Sequence, residues 1–75
     1  MEIEEFVKNF AAQFDDEPAG LSASSNFREV DDWSSLVALS IVAMVHEEYG
    51  VKLTGDDIRN SVTVGDVFEI VKSKK

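Results

Sequence analysis

The stretch from Asp31 to Gly50, which reads DDWSSLVALSIVAMVHEEYG, is the longest uninterrupted helical pattern in the chain and constrains the fold most strongly. At about 100° per residue, its apolar side chains cover an arc far wider than a solvated amphipathic helix needs. We therefore predict one central helix whose wide arc packs into the core. The arc consists of Met44, Val37, Ile41, Val45, Ala38, Tyr49 and Val42.

The opposite side of this predicted helix mixes apolar, small and charged residues where water is expected. Leucines in such a position are explained when another protein covers them. We interpret this side as a face that a partner covers. Its members are Ser35, Leu36, Leu39, Ser40, Ala43, His46 and Glu47.

Apolar residues at helical spacing also predict a first helix from about residue 2 to residue 14, which Pro18 and Gly20 terminate. A long connection then leads to the central helix. Long structureless loops are uncommon in compact domains. We therefore expect an ordered loop that Leu21, Phe27 and Val30 hold against the core, with a turn of helix near Phe27.

Cap residues predict two further helices. Gly50 is suited to end the central helix. Thr54 and Thr63 each begin a capping box that has an acidic residue three positions later. They predict a short third helix and a fourth helix from about Val64 to Val71. The predicted fold class is all-α, a small four-helix bundle with a long first loop and a short third helix, in a single domain over residues 1–75.

Composition limits the classes of partner. Fifteen acidic and seven basic residues give a net charge of −8, which repels nucleic acid and favours partners with basic surfaces. The chain has no cysteine, so it has neither a disulfide nor a thiolate metal site. It has no apolar stretch near the roughly 20 residues that span a bilayer. We expect a cytoplasmic monomer.

Catalytic and metal-binding interpretations find little support. Ser35 and the single histidine, His46, are eleven residues apart on one predicted helix, a rise of roughly 16 Å, which is too far for proton transfer. We therefore expect no enzyme activity. The acidic pairs lack the spacing of a calcium loop, and we interpret them as helix caps and solvated loop residues. We interpret Trp33 as a packing anchor beside Ser35.

Ser35 itself lies at the predicted first turn of the central helix. Backbone N–H groups at a helix start lack partners and the dipole is positive there, so an anion attached to this serine is favoured. An ordinary serine that caps a helix start is the alternative. The run Asp32-Trp33-Ser34-Ser35-Leu36, followed by Leu39, Ile41 and the EEYGV ending, resembles the acyl carrier protein family. The order and lengths of the predicted helices resemble that family over essentially the whole chain.

The resemblance implies a function. In the family, the serine of an Asp-Ser-Leu motif carries a covalent 4′-phosphopantetheine arm, and the matching residue is Ser35. The protein would then carry acyl groups as thioesters for fatty-acid or lipid biosynthesis. Its implied partners are a phosphopantetheinyl transferase and acyl-transferring or acyl-activating enzymes with basic docking surfaces. The residues expected to recognise them are Asp31, Asp32, Leu36, Leu39, Ala43 and Glu47.

The sequence is also compatible with two other functions. One is a carrier for a specialised polyketide or amino-acid pathway, and the other is an unmodified interaction module with the same fold. Ser34 replaces the family's aspartate, and Val37, Ser40 and His46 stand where classical fatty-acid carriers usually have acidic residues. We therefore expect partners that differ from those of the housekeeping fatty-acid synthase.

Overall fold

The computed structural model describes residues 2–75 and confirms the all-α prediction. A long loop joins the first two helices, and a 3₁₀ turn at Phe27–Glu29 interrupts it. Within the described residues, β-type pairing is limited to an isolated antiparallel bridge between Asn26 and Thr63. The four α-helices are α1 at Ile3–Ala11, α2 at Ser35–Tyr49, α3 at Gly55–Arg59 and α4 at Val64–Lys74.

Helix α1 is shorter than predicted, because the chain tightens after Ala11. The N–H groups of Gln13 and Phe14 donate to carbonyls three residues back, at Phe10 and Ala11. Such bonds form a turn with a tighter pitch than an α-helix. This turn keeps Phe14 buried, although the residue lies beyond the helix. The predicted end near residue 14 followed the apolar pattern, which does not distinguish the two kinds of turn.

The central helix begins later than the 31–50 pattern suggested. Ser34 has extended backbone angles and is the N-cap, so Asp31, Asp32 and Trp33 lie outside the helix. Gly50 ends the helix as predicted, with a left-handed φ of 67° that a residue without a Cβ adopts at little cost. The predicted core arc is confirmed, because four of its members are buried and the other three pack against the core. The buried members are Val37, Ile41, Met44 and Val45.

Aromatic side chains hold the helices together. The ring of Phe6 in α1 lies 5.2 Å from that of Phe68 in α4 and 5.6 Å from that of Tyr49 in α2, measured between centroids. A tilted aromatic pair adds about 0.5–1.5 kcal/mol to the free energy of burial. Phe6 therefore joins the three longest helices at one point.

The long loop is ordered, as predicted. Phe27 is completely buried, and its ring lies 5.4 Å from Phe10 and 4.8 Å from Trp33. Main-chain bonds also attach the loop to the start of α4. The N–H of Gly65 donates to the Ala23 carbonyl at 2.8 Å, and the N–H of Val64 donates to the Ser25 carbonyl at 3.2 Å.

Both predicted capping boxes are present. The hydroxyl of Thr54 accepts from the Asp57 N–H, and the Asp57 carboxylate accepts from the Thr54 N–H. Thr63 and Asp66 form the same pair of bonds at α4. A hydrogen bond from Lys74, at 2.6 Å, and the N–H of Thr54 lower the pKa of Asp57. The N–H groups of Thr63 and Val62 lower the pKa of Asp66.

The loop approaches Gly65 closely enough to make a side chain there unfavourable. A Cβ at this position would lie 3.0 Å from the Ala23 carbonyl oxygen, whereas a Cβ at Gly55 would meet nothing within 4 Å. Both glycines lie in the first turn of a helix, where alanine is otherwise preferred. The free energy of unfolding of Gly65→Ala should therefore be about 1 to 3 kcal/mol lower than that of the matched variant Gly55→Ala. Urea denaturation of both proteins measures the difference, and equal values would mean that the loop moves aside freely.

Candidate phosphopantetheine site at the start of the second helix

Ser35 is the first residue of α2, and its side chain is exposed. The preceding residue fixes this position. The hydroxyl of Ser34 accepts a hydrogen bond from the Val37 N–H at 3.3 Å, which is the bond an N-cap residue makes. The hydroxyl of Ser34 is therefore committed to the cap, while Ser35 lies beside the N–H groups that a helix start leaves without intrahelical partners.

A cleft of about 260 Å³ opens beside Ser35, between the loop, the start of α2 and the short helix α3. Most of its lining is apolar, from the side chains of Trp33, Ala38 and Ile58. The cleft thus offers an apolar surface next to an exposed hydroxyl. Its remaining lining residues are Arg28, Ser34, Gly55 and Arg59.

Trp33 serves as the packing anchor predicted for it. Its ring lies 4.8 Å from that of Phe27 and 6.2 Å from that of Phe14. These contacts fix the chain just before Ser34 against the core. Because Trp33 also lines the cleft, the same contacts shape the surface beside Ser35.

Sequence reasoning missed the two arginines of this cleft. A guanidinium nitrogen of Arg28 donates to the carbonyl of Ile58 at 3.1 Å and to the carbonyl of Arg59. The guanidinium of Arg59 forms an ion pair with Asp56 at 2.8 Å. Arg28 and Arg59 are far apart in the chain, so no motif spacing connects them. The one available signal was that the chain contains no other arginine.

The predicted partner face on α2 is exposed. Leu36 is 74% exposed and Leu39 is 65% exposed, and Ala43 and Glu47 are also exposed farther along the helix. These four residues follow one another at three- or four-residue spacing, so they lie along one side of α2. The structure therefore brings together an apolar strip with a carboxylate at its far end.

Asp31 and Asp32 lie just before the helix, where both are exposed. A carboxylate oxygen of Asp32 accepts the N–H of Asp16 at 3.1 Å. Asp32 therefore also holds the loop after α1, a contact that the sequence did not suggest. Sequence analysis likewise did not foresee which of these two aspartates has a structural contact.

Val37 belongs to the core and not to the exposed side of α2, because its side chain is only 6% exposed. A carboxylate there would be buried without a partner, so packing alone explains the valine. Ser40 and His46 are exposed, and these two positions do lack acidic charge.

Residues 2–75 contain no group of three or more His, Cys, Asp or Glu side chains placed to hold a metal ion. Among the helices over this range, none is both long enough and apolar enough to cross a membrane.

The exposure of Leu39 leads to a stability prediction. Leu39→Ala removes a side chain that faces solvent, so it should change the free energy of unfolding by less than about 0.5 kcal/mol. Ile41, two residues farther along the same helix, is completely buried, and Ile41→Ala should cost about 2–5 kcal/mol. Chemical denaturation of both variants tests the assignment. A loss of the same size for Leu39→Ala would place that residue in the core.

Comparison with known proteins identifies the family and the fold of this chain. The family model described as a phosphopantetheine attachment site matches residues 5–71. No curated protein sequence gives a significant match. The solution NMR structure of a holo acyl carrier protein from Geobacter metallireducens is 22% identical, with a TM-score of 0.76 over 96% of this chain and 83% of that chain. At this identity the structural likeness shows the acyl carrier protein fold. The match of the family model to nearly the whole chain shows that the protein belongs to the family of phosphopantetheine attachment domains, which are carriers of 4′-phosphopantetheine and not catalysts.

Proposed function

We propose that this protein carries acyl groups as thioesters on a 4′-phosphopantetheine arm joined to the Oγ atom of Ser35, and delivers them to enzymes of fatty-acid or lipid biosynthesis. The observation that carries the proposal is the position of Ser35. It is an exposed hydroxyl at the first residue of α2, beside an apolar cleft and within the region that the family model matches.

The other serines are less suited to carry the arm. Ser34 caps α2, and Ser40 lies in the middle of the helix, where the backbone N–H groups are already bonded. Ser61 donates to the carbonyl of Asp57, and Ser73 donates to the carbonyl of Ile70. The remaining serines, Ser22, Ser24 and Ser25, hydrogen-bond to one another in the long loop.

The residues around Ser35 fit the arm chemically. The phosphodiester would lie near the first-turn N–H groups and the positive end of a fifteen-residue helix, both of which favour an anion. The apolar lining beside Ser35 can cover the first carbons of the arm. When bound, the arm supplies the thiol that forms the thioester. The protein positions the arm and presents it to other enzymes.

Ser34 can replace the family's aspartate as the N-cap of α2. The two side chains are comparable N-caps, so the helix start is preserved. The negative charge next to the modified serine is lost, and Asp31 and Asp32 are the nearest acidic residues before it. We infer that a phosphopantetheinyl transferase recognises this chain through those two residues and the exposed side of α2.

The attachment point has a direct test in the intact mass after co-expression with a promiscuous phosphopantetheinyl transferase. Ser35→Ala should abolish the added mass, because the accepting hydroxyl is gone. Ser34→Ala is the matched control: it should lower the free energy of unfolding by about 1 kcal/mol through loss of the cap, while modification remains detectable. The reverse pattern would move the attachment point to Ser34. A wild-type protein that stays unmodified would favour an interaction module without an arm.

We also propose that the exposed side of α2 recognises partner enzymes. We define the docking patch as Leu36, Leu39, Ala43 and Glu47, with Asp31 and Asp32 at its near end. The exposed leucines would fill apolar pockets on a partner. The carboxylates would attract its basic surface, which mainly raises the association rate.

Charge reversal and truncation in the docking patch should have different kinetic effects. Glu47→Lys should slow association with the transferase, most clearly at low salt, because surface charges are screened as ionic strength rises. Leu39→Ala should mainly speed dissociation. Surface plasmon resonance at two salt concentrations separates the effects. Glu69→Lys on α4, outside the patch, is the matched charge control, and an equal slowing by this variant would mean that only net charge matters.

The proposed fatty cargo predicts a change in stability. The apolar arcs around Phe6, Ile41 and Val45 would part to take in the chain, and each sequestered methylene contributes about 0.8 kcal/mol. The holo protein and its medium-chain acyl form should therefore differ in melting temperature by several degrees. Calorimetry of both forms measures this. Equal melting temperatures, with unchanged core methyl resonances, would favour the specialised alternative of an amino-acid or very short acyl cargo.

The specialised alternative has one structural observation in its favour. Two exposed positions on α2, Ser40 and His46, lack the acidic charge that classical fatty-acid carriers usually show there. This difference suits partners other than a housekeeping synthase. It does not affect the proposed attachment at Ser35.

A further inference from the structure

Both arginines of this acidic chain line the same cleft, which Ser35 also lines. The protein has 15 acidic and 7 basic residues, and only Arg28 and Arg59 among the basic ones are arginines. The loop supplies Arg28, and the end of α3 supplies Arg59. Tertiary folding therefore brings two arginines to the cleft that Ser35 also lines, in a protein whose net charge is −8.

The two guanidinium groups are held differently. Arg28 is fixed, because one nitrogen donates to the backbone carbonyls of Ile58 and Arg59. A guanidinium has about five N–H donors, so this anchoring leaves several for another acceptor. Arg59 is more easily redirected. Its ion pair with Asp56 is largely solvent-exposed, at 76% and 79% for the two side chains, and such pairs contribute little to stability.

The group that would meet these arginines is set by the covalent chemistry at Ser35. A phosphodiester joined to the Ser35 Oγ atom would carry one negative charge, and it would meet the cleft that Ser35 lines. Arginine is well suited to phosphate oxygens, because its planar fork of donors matches their geometry. The apolar side chains of Trp33, Ala38 and Ile58 lie in the same cleft, where the uncharged carbons that follow the phosphate can pack.

We propose that Arg28 and Arg59 bind the phosphodiester of the arm and hold the first part of the arm in this cleft. The inference rests on the proposed attachment at Ser35. It gives the two arginines a positioning role and leaves the docking patch free, because Leu36 and Leu39 do not line the cleft. Asp56 competes with the phosphate for Arg59, so it should weaken the contact.

The test compares apo and holo proteins by NMR, using the ³¹P shift of the arm and the side-chain N–H resonances of the arginines. In the wild type, conversion from apo to holo should shift both arginine resonances. Arg59→Gln should move the ³¹P signal most of the way toward that of free phosphopantetheine. Asp56→Asn should strengthen the contact and enlarge the Arg28 and Arg59 shifts. Lys8→Gln on α1 removes one positive charge outside the cleft and should leave the ³¹P signal unchanged.

Arg28→Gln removes bonds that tie the loop to α3, so a change in this variant alone is not diagnostic. Arg59→Gln is the deciding variant, since it loses only a solvent-exposed ion pair. If the ³¹P and Arg28 resonances of holo Arg59→Gln equal those of the holo wild type, the proposal is overturned. Arginine shifts that appear only after a dicarboxylic acyl group is loaded would also overturn it and would assign the arginines to an anionic cargo.

Intact mass distinguishes failure of the attachment at Ser35 from failure of the arginine contact. If the wild type gains no mass on treatment with the transferase, the proposed function itself fails. If all variants gain the mass while their ³¹P signals remain identical, the arm is attached and only the arginine contact is wrong.

Discussion

The packing of Phe27 between Phe10 and Trp33 is the contact on which the candidate site depends. A small domain has a limited core, and this one must also hold a long loop. Phe27 does so by burying its whole side chain, with ring centroids 5.4 Å and 4.8 Å from those two neighbours. Arg28 follows it directly and reaches the cleft, while Trp33 stands just before the cap of α2. One buried ring thus positions both sides of the cleft beside Ser35.

Helix caps determine where three of the helices begin. Ser34, Thr54 and Thr63 each accept a bond from the N–H three residues later, which sets where α2, α3 and α4 begin. In α2, the hydroxyl of Ser34 makes the cap bond. The side chain of Ser35, the first helical residue, is exposed at the positive end of the helix. The cap therefore links an element of stability to the proposed chemistry, because the bond that starts the helix engages the Ser34 hydroxyl and not that of Ser35, the proposed attachment point.

The side of α2 that faces solvent contributes less to stability than the side that faces the core. Leu36 and Leu39 contribute little to the free energy of folding, since most of their surface remains in water. Val37 and Ile41, their neighbours in sequence, are buried and contribute to stability. The buried side of α2 therefore stabilises the fold, and the exposed side is proposed to bind partners. Substitutions on the buried side should change the free energy of unfolding, whereas those on the exposed side should change the rates of partner binding.

The sequence by itself determined the all-α class, the capping boxes, the left-handed glycine after α2 and the exposed leucines, because each depends on residues within about four positions of one another. The resemblance that pointed to Ser35 was also local, a short run at a helix start. Only the tertiary structure decided that Arg28 and Arg59 meet in one cleft, that Asp32 holds the backbone at Asp16, and that α1 ends in a tighter turn. The first two features join segments that are distant in sequence. The third distinguishes two kinds of turn that have the same apolar spacing. Packing of the whole chain decides all three.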